Sequence, residues 1–139
     1  MRRHRPTAER QPRSGVGGAV SWTGIIYGEA ASKANSRQIV KIKGRLASIK
    51  SDKARGYAAD VARQVRPLAP LLEGNLKFTA TLFYASRRPD LDPSVLLDAL
   101  QGRVFKNDRQ IRVIHVTHAI DKRNPRAEIV IEPIPMVVA

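Results

Sequence analysis

The chain has 139 residues, 25 Lys and Arg against 12 Asp and Glu, and a net charge of +13, which points to a polyanionic partner such as nucleic acid or an acidic membrane surface. Its length suits one domain with its own core, because a chain of about 150 residues buries roughly 70% of its unfolded surface. With no cysteine and no run of ~20 apolar residues, disulfide frameworks, zinc–thiolate sites and a membrane-spanning helix are excluded.

Residues 1–18 read as a basic flexible arm. Arg2, Arg3, Arg5, Arg10 and Arg13 face a single acid, Glu9, and Gly15, Gly17 and Gly18 follow. Nothing there forms a packed face, so disorder is expected. Its cations either follow phosphates or carry no function of their own. No apolar h-region follows the basic start, which argues against a secretory signal. Without the arm the charge is still +9, so the basic character belongs to the domain, residues 19–139.

Val20 to Tyr27 is β-branched and aromatic and reads as a strand, with Gly24 marking a bulge. Gly28 to Ile39 is polar, and its Ser32-Lys33-Ala34-Asn35-Ser36-Arg37 stretch is either a phosphate-contacting loop or a solvated one. Ile39 to Ile42 is a short strand, and Gly44-Arg45 a turn. Ser51 is an N-cap and Asp52 suits a first helical turn. The helix runs to about Arg66, with Ala54, Tyr57, Ala58, Val61, Ala62 and Val65 on one face. Pro67 stops it, and residues 67–74 form a connector. Asn75 to Tyr84 is a strand in which Leu76, Phe78, Ala80, Leu82 and Tyr84 alternate with Lys77, Thr79, Thr81 and Phe83.

That strand runs into Arg87-Arg88-Pro89-Asp90-Leu91-Asp92-Pro93. Four of the seven aspartates (Asp90, Asp92, Asp98 and Asp108) fall in residues 90–108 of a strongly basic chain. Neighbouring carboxylates resist ionising beside one another. A hard cation such as Mg²⁺ relieves that cost, since it takes oxygen ligands and often one or two carboxylates plus substrate phosphate. Extended backbone between Pro89 and Pro93 points Asp90 and Asp92 the same way. The competing reading is that Asp92 merely caps the helix that begins at Pro93.

Ser94 to Gln101 is that helix, closed by Gly102, with Val95, Leu96, Ala99 and Leu100 on its apolar face and Asp98 opposite. Lys106-Asn107-Asp108-Arg109 is a polar turn. Gln110 to Ile120 and Ala127 to Glu132 are strands, and the short charged turn between them predicts a hairpin. The tail after Pro133 is apolar (Ile134, Met136, Val137, Val138) and suits a sheet edge or a second subunit. His115 and His118 lie three apart on a strand and face opposite sides, so they are structural or solvated, like His4. Trp22 and the tyrosines read as core. The order β-(β)-α-β-α-β-β predicts an α+β fold, a small mixed β-sheet with two helices packed on one face.

The proposed site joins Asp90, Asp92 and Asp108 as metal ligands, flanked by Arg87, Arg88, Lys106 and Arg109. Carboxylates holding a cation, with cations poised to bind phosphate, match the needs of phosphodiester cleavage.

Arg87-Arg88-Pro89-Asp90-Leu91-Asp92, Leu97-Asp98-Ala99-Leu100 and Asn107-Asp108-Arg109-Gln110-Ile111 together resemble the RusA family of Holliday-junction resolvases. That family carries R-x-D-L-D-N-x-x-K, then D-A-L, then D-D-x-Q-[IV]. The loop containing Lys33 and Arg37 and the Ile49-Lys50-Ser51 stretch are similar to it too. The resemblance implies a homodimeric Mg²⁺-dependent endonuclease, with Mn²⁺ as a substitute cation, that nicks four-way DNA junctions symmetrically in a bacterial or phage-infected cytoplasm. It implies metal binding and catalysis by Asp90, Asp92 and Asp108, with DNA held by Lys33, Arg37, Lys50, Arg87, Arg88, Lys106 and Arg109. Three positions depart from the pattern: Pro93 for the family Asn, Leu96 for the Lys, and Asn107 for the first Asp of the D-D pair. Alternatives from other classes are a binding-only descendant for branched DNA and a basic RNA-binding protein.

Overall fold

The computed structural model of the chain describes residues 20–32, 37–50 and 52–135. The basic arm, Lys33, the predicted N-cap Ser51 and the end of the apolar tail (Met136, Val137, Val138) lie outside these residues. Among these residues six strands and two α-helices follow in order: β1 (Trp22–Tyr27), β2 (Arg37–Ile42), β3 (Arg45–Lys50), α1 (Asp52–Gln64), β4 (Leu76–Tyr84), α2 (Ser94–Leu100), β5 (Ile111–Ile120) and β6 (Arg126–Pro133). Four strands make one mixed sheet in the order β1-β6-β4-β5, with β4 and β5 parallel and the other neighbours antiparallel. β2 and β3 form a separate two-stranded sheet.

The alternation read in β4 is borne out. Leu76, Phe78, Ala80, Leu82 and Tyr84 are all buried, while Lys77, Thr79, Thr81 and Phe83 are half-buried. On the same sheet face sit Ile26 of β1 and Ala127, Ile129 and Ile131 of β6. The two helices cover this face. α1 brings Ala54, Tyr57, Val61 and Val65, and α2 brings Val95, Leu96 and Leu100. Ala62, predicted on the buried face of α1, is exposed, so the apolar stripe is narrower than the sequence implied.

The predicted hairpin between β5 and β6 does not form: β4 lies between them. Burial explains the order. β4 is shielded on both faces and so occupies a central place, whereas exposed residues recur along β5, which suits an edge. Parallel pairing of β4 with β5 requires a long crossover, and α2 sits in it. The turn after β5 folds over the end of β4, where the Asp121 N–H donates to the Tyr84 carbonyl at 2.9 Å. Arg126 fixes the start of β6. It donates to Asp121 (2.7 Å), Glu128 (2.8 Å) and the Asn124 carbonyl (2.9 Å), and its guanidinium lies 3.9 Å from the Phe83 ring centroid.

Gly24 marks no bulge, since the β1–β6 register runs unbroken through it. It leaves room for a ring instead: a Cβ there would come within 2.5 Å of the Trp22 indole. Tyr27, read as core, is 53% exposed.

Candidate active site at the carboxyl end of β4

Three chain segments converge where β4 ends. β1 ends at Tyr27, whose main chain is held twice by the last residue of α1. The Tyr27 N–H donates to Gln64 Oε1 (2.7 Å), and Gln64 Nε2 donates to the Tyr27 carbonyl (2.9 Å). Gly28 then turns the chain at φ 111°, a conformation that side chains disfavour, and donates to the Pro125 carbonyl at 2.9 Å. This turn delivers Glu29, whose Oε1 accepts the Ala85 N–H at 2.8 Å, just past the last residue of β4.

The second segment is the acidic loop itself. Asp90 is exposed and Asp92 half-buried. Asp92 Oδ1 accepts the Ser94 N–H at 2.9 Å, a local turn contact at the entry to α2, whose N-cap is Pro93 and carries no side-chain cap, so the predicted capping by Asp92 is not what starts the helix. The third segment is β5, whose His118 stacks on Tyr84 with centroids 4.5 Å apart and an interplanar angle of 26°. Both rings reach the loop. Tyr84 Oη donates to the Asp90 carbonyl at 3.3 Å, and His118 Nε2 lies 3.1 Å from the Pro89 carbonyl. For that contact to be a hydrogen bond, Nε2 carries the proton.

The Tyr84 phenol is held above its ordinary pKa, chiefly by burial. The Asp92 main-chain N–H opposes the shift, and the carboxylates of Asp92, Glu29 and Asp90 reinforce it. Three acids therefore share one neighbourhood around a neutral phenol. Beside them, Arg87, His118, Ala119 and Ile120 line a cleft of about 510 Å³. Arg88 is exposed, and its N–H donates to Ser86 Oγ at 3.2 Å.

Asp108 is elsewhere. It opens a single 3₁₀ turn, Asp108–Gln110, just before β5. Ile111 pairs with Leu76 and Ile120 with Tyr84, so β5 starts at the far end of β4 from the acidic loop. A nine-residue strand spans roughly 26 Å at about 3.3 Å per residue. Sequence proximity groups Asp90, Asp92 and Asp108, and the parallel crossover divides them. Among the described residues, no group of three or more His, Cys, Asp or Glu side chains is placed to hold a metal ion. Lys106 and Arg109, both exposed, stay with Asp108.

The turn around Asp108 is tightly built. Gln110 Oε1 accepts the Lys106 and Asn107 N–H groups (2.9 and 3.0 Å), and its Nε2 donates to the Leu72 and Gly74 carbonyls (both 3.0 Å). Asn107 Oδ1 accepts the Arg109 N–H at 2.8 Å, and Gln101 Oε1 accepts the Asp108 N–H at 2.9 Å. The turn is a capping box in which the main-chain N–H groups of residues 106–110 all find acceptors, with the Asp108 side chain left at the surface.

The family model for endodeoxyribonuclease RusA matches residues 29–132. The chain belongs to the RusA family. It is therefore an endodeoxyribonuclease, a Holliday-junction resolvase of DNA recombination that binds branched DNA. Comparison with curated proteins gives no match. The observed α+β fold, a mixed four-stranded sheet with two helices, agrees with the RusA assignment. The match begins at Glu29, which the sequence reading missed. Its signal was there: Glu29 is the sole acid between Glu9 and Asp52.

The RusA signature can be read against the structure residue by residue. Its Gln, here Gln110, is the clamp of the Asp108 turn. Asn107 replaces an Asp at an N-cap, where the two residues serve equally well. Leu96, in place of the family Lys, is fully buried in the core, so no cation extends from that position. Tyr84 and His118 were read as core and as structural or solvated, and the structure places both against the main chain of the acidic loop.

Proposed function

We propose that this RusA-family chain is a Mg²⁺-dependent resolvase that works as a homodimer, with each cation site shared between subunits. Asp90 and Asp92 of one subunit and Asp108 of the partner subunit form the ligand set. The observation that carries this reading is the division of the three aspartates between opposite ends of β4. A two-fold axis perpendicular to β4 lays the Asp90–Asp92 end of one sheet beside the Asp108 end of the other. Ile25 and Tyr27, 45% and 53% exposed beyond the helix-covered face, give such a dimer apolar surface to bury.

The donor set fits a hard cation. It is all oxygen, and Mg²⁺ is content with one or two carboxylates when substrate phosphate and water fill the rest. Mn²⁺ satisfies the same set. When bound, the cation supplies a Lewis acid for the phosphoryl oxygen and lowers the pKa of an attacking water. The protein's own residues position and neutralise. Tyr84 and His118 hold the Asp90 and Pro89 carbonyls and so orient the acidic loop. Arg87 and Arg88 on one subunit, with Lys106 and Arg109 of the partner subunit, surround the scissile phosphate with positive charge. These cations stand in for the family Lys that Leu96 replaces. Lys33, Arg37 and Lys50 bind DNA flanking the cut, and the basic arm follows phosphates. Two equivalent sites give paired, symmetric nicks.

Cleavage of a labelled four-way junction, with Mg²⁺ and with EDTA, beside a linear duplex, tests the reading. Symmetric Mg²⁺-dependent nicks confined to the junction are expected. Tight junction binding without nicks would overturn the catalytic part, and cutting of duplex and junction alike would overturn the selectivity.

A further inference from the structure

Residues 37–50 contain five cations, Arg37, Lys41, Lys43, Arg45 and Lys50, and no acid. They fold into the β2–β3 hairpin, which among the described residues pairs with no strand of the main sheet. Its two-residue turn is tight. Lys43 and Gly44 both sit at positive φ (54° and 80°), the backbone pattern of the turns that match the natural twist of a hairpin. Every residue from Lys41 to Leu46 is exposed. Leu46 is 74% exposed, the largest exposure of any large apolar side chain among the described residues, and Ile42 is 48% exposed. Among the described residues, no ion pair includes Lys41, Lys43 or Arg45.

The register places Ile42 opposite Arg45 and Lys41 opposite Leu46. Each face of the ribbon tip thus carries one apolar and one cationic residue, with Lys43 at the apex. A bare two-stranded ribbon is marginal in water, and this one offers a partner both charge and apolar surface. We propose that the hairpin tip is a DNA-binding arm that enters the major groove of a duplex arm of the branched substrate. That groove is about 12 Å wide and admits a two-stranded ribbon. Lys41, Lys43 and Arg45 neutralise the phosphates lining it, and Leu46 meets base edges. The inference rests on the DNA-nuclease reading but concerns a surface remote in sequence from the aspartates.

The test is junction binding by fluorescence anisotropy over a range of salt concentrations. It compares the full chain, a Lys41→Gln/Lys43→Asn/Arg45→Gln variant and Leu46→Ser. Asn at position 43 keeps a residue that tolerates the left-handed turn. The triple variant should bind about tenfold to a hundredfold more weakly, with the slope of log affinity against log salt smaller in magnitude by about 2–3. Leu46→Ser should weaken binding several-fold with the slope unchanged. Wild-type affinity and slope in the triple variant, while the parent chain still binds and cuts junctions, would overturn the arm and leave the nuclease reading standing. A change of oligomeric state in Leu46→Ser, seen by sedimentation, would assign the tip to a protein interface and overturn the proposal. A parent chain that bound no DNA would remove both readings.

Discussion

Replacing Leu96 with Lys restores the family signature at its most conspicuous departure, and the fold predicts that the restoration fails. Leu96 is fully buried on α2. Losing its burial costs about 2–3 kcal/mol. An ammonium buried there is driven toward its neutral form, with a pKa depressed by up to 3–5 units, at about 1.4 kcal/mol per unit. Leu and Lys have similar helix propensity, so the helix itself contributes little. Bending of the long side chain toward solvent recovers part of the loss. A net destabilisation of about 4 kcal/mol or more at neutral pH follows, a large share of the 5–15 kcal/mol typical of a domain. Urea unfolding at several pH values measures it. The introduced group has a lower pKa folded than unfolded, so the unfolded chain binds more protons between the two values. The deficit is therefore full below the folded pKa and shrinks as pH rises toward 10. Leu96→Lys should also leave junction cleavage no faster per folded molecule. A variant as stable as the parent, with no pH-dependent deficit and with faster cleavage, would show that position 96 faces the acidic end rather than the core.

Other outcomes follow from single interactions. Tyr57 Oη is buried without a hydrogen-bond partner among the described residues, and burial, then Tyr84 and Asp60, push its pKa up. Tyr57→Phe should therefore raise stability by about 1 kcal/mol in urea unfolding, because an unmet buried hydroxyl costs roughly 1–3 kcal/mol. His118→Ala removes the ring stack on Tyr84 and the contact to the Pro89 carbonyl. It should cost about 1–2 kcal/mol and raise the Mg²⁺ concentration needed for half-maximal cleavage, whereas loss of stability with unchanged Mg²⁺ dependence would reduce His118 to a packing role. Hydrogen bonding to Arg126 holds the Asp121 carboxyl below its ordinary range. Its contribution is present at neutral pH and is lost as pH falls through that lowered pKa. The gap in melting temperature between the parent chain and Asp121→Asn should close on acidification.

The elements with strong periodicity were legible in the sequence. β4 announced itself by strict alternation, and α1 and α2 by apolar spacing. β3 was not legible, because its cationic, acid-free stretch lacks a polar and apolar rhythm, and because Lys43, at positive φ in the turn before it, is not one of the residue types (Gly, Asn, Asp) that signal that conformation. The place of β5 was misjudged for a different reason. A five-residue link to β6 is compatible with a hairpin, and only the demand of β4 for neighbours on both sides decides otherwise. The aspartates stood out by residue type, but their spacing in sequence said nothing of the parallel crossover that parts Asp108 from Asp90 and Asp92. Glu29, Tyr84 and His118 come from three distant segments, and it is the sheet order that assembles them.

The shared site makes the sharpest test. Asp90→Asn and Asp108→Asn chains are prepared separately, and each is assayed alone and after mixing, on a four-way junction with Mg²⁺. If Asp108 of one subunit completes the site of the other, a mixed dimer contains one site with both defects and one with none. Neither variant should cut alone, both should still bind the junction, and the mixture should regain nicking of one strand per junction. A mixture as inactive as its components, with subunit exchange verified, would place the three aspartates within a single subunit and contradict the account.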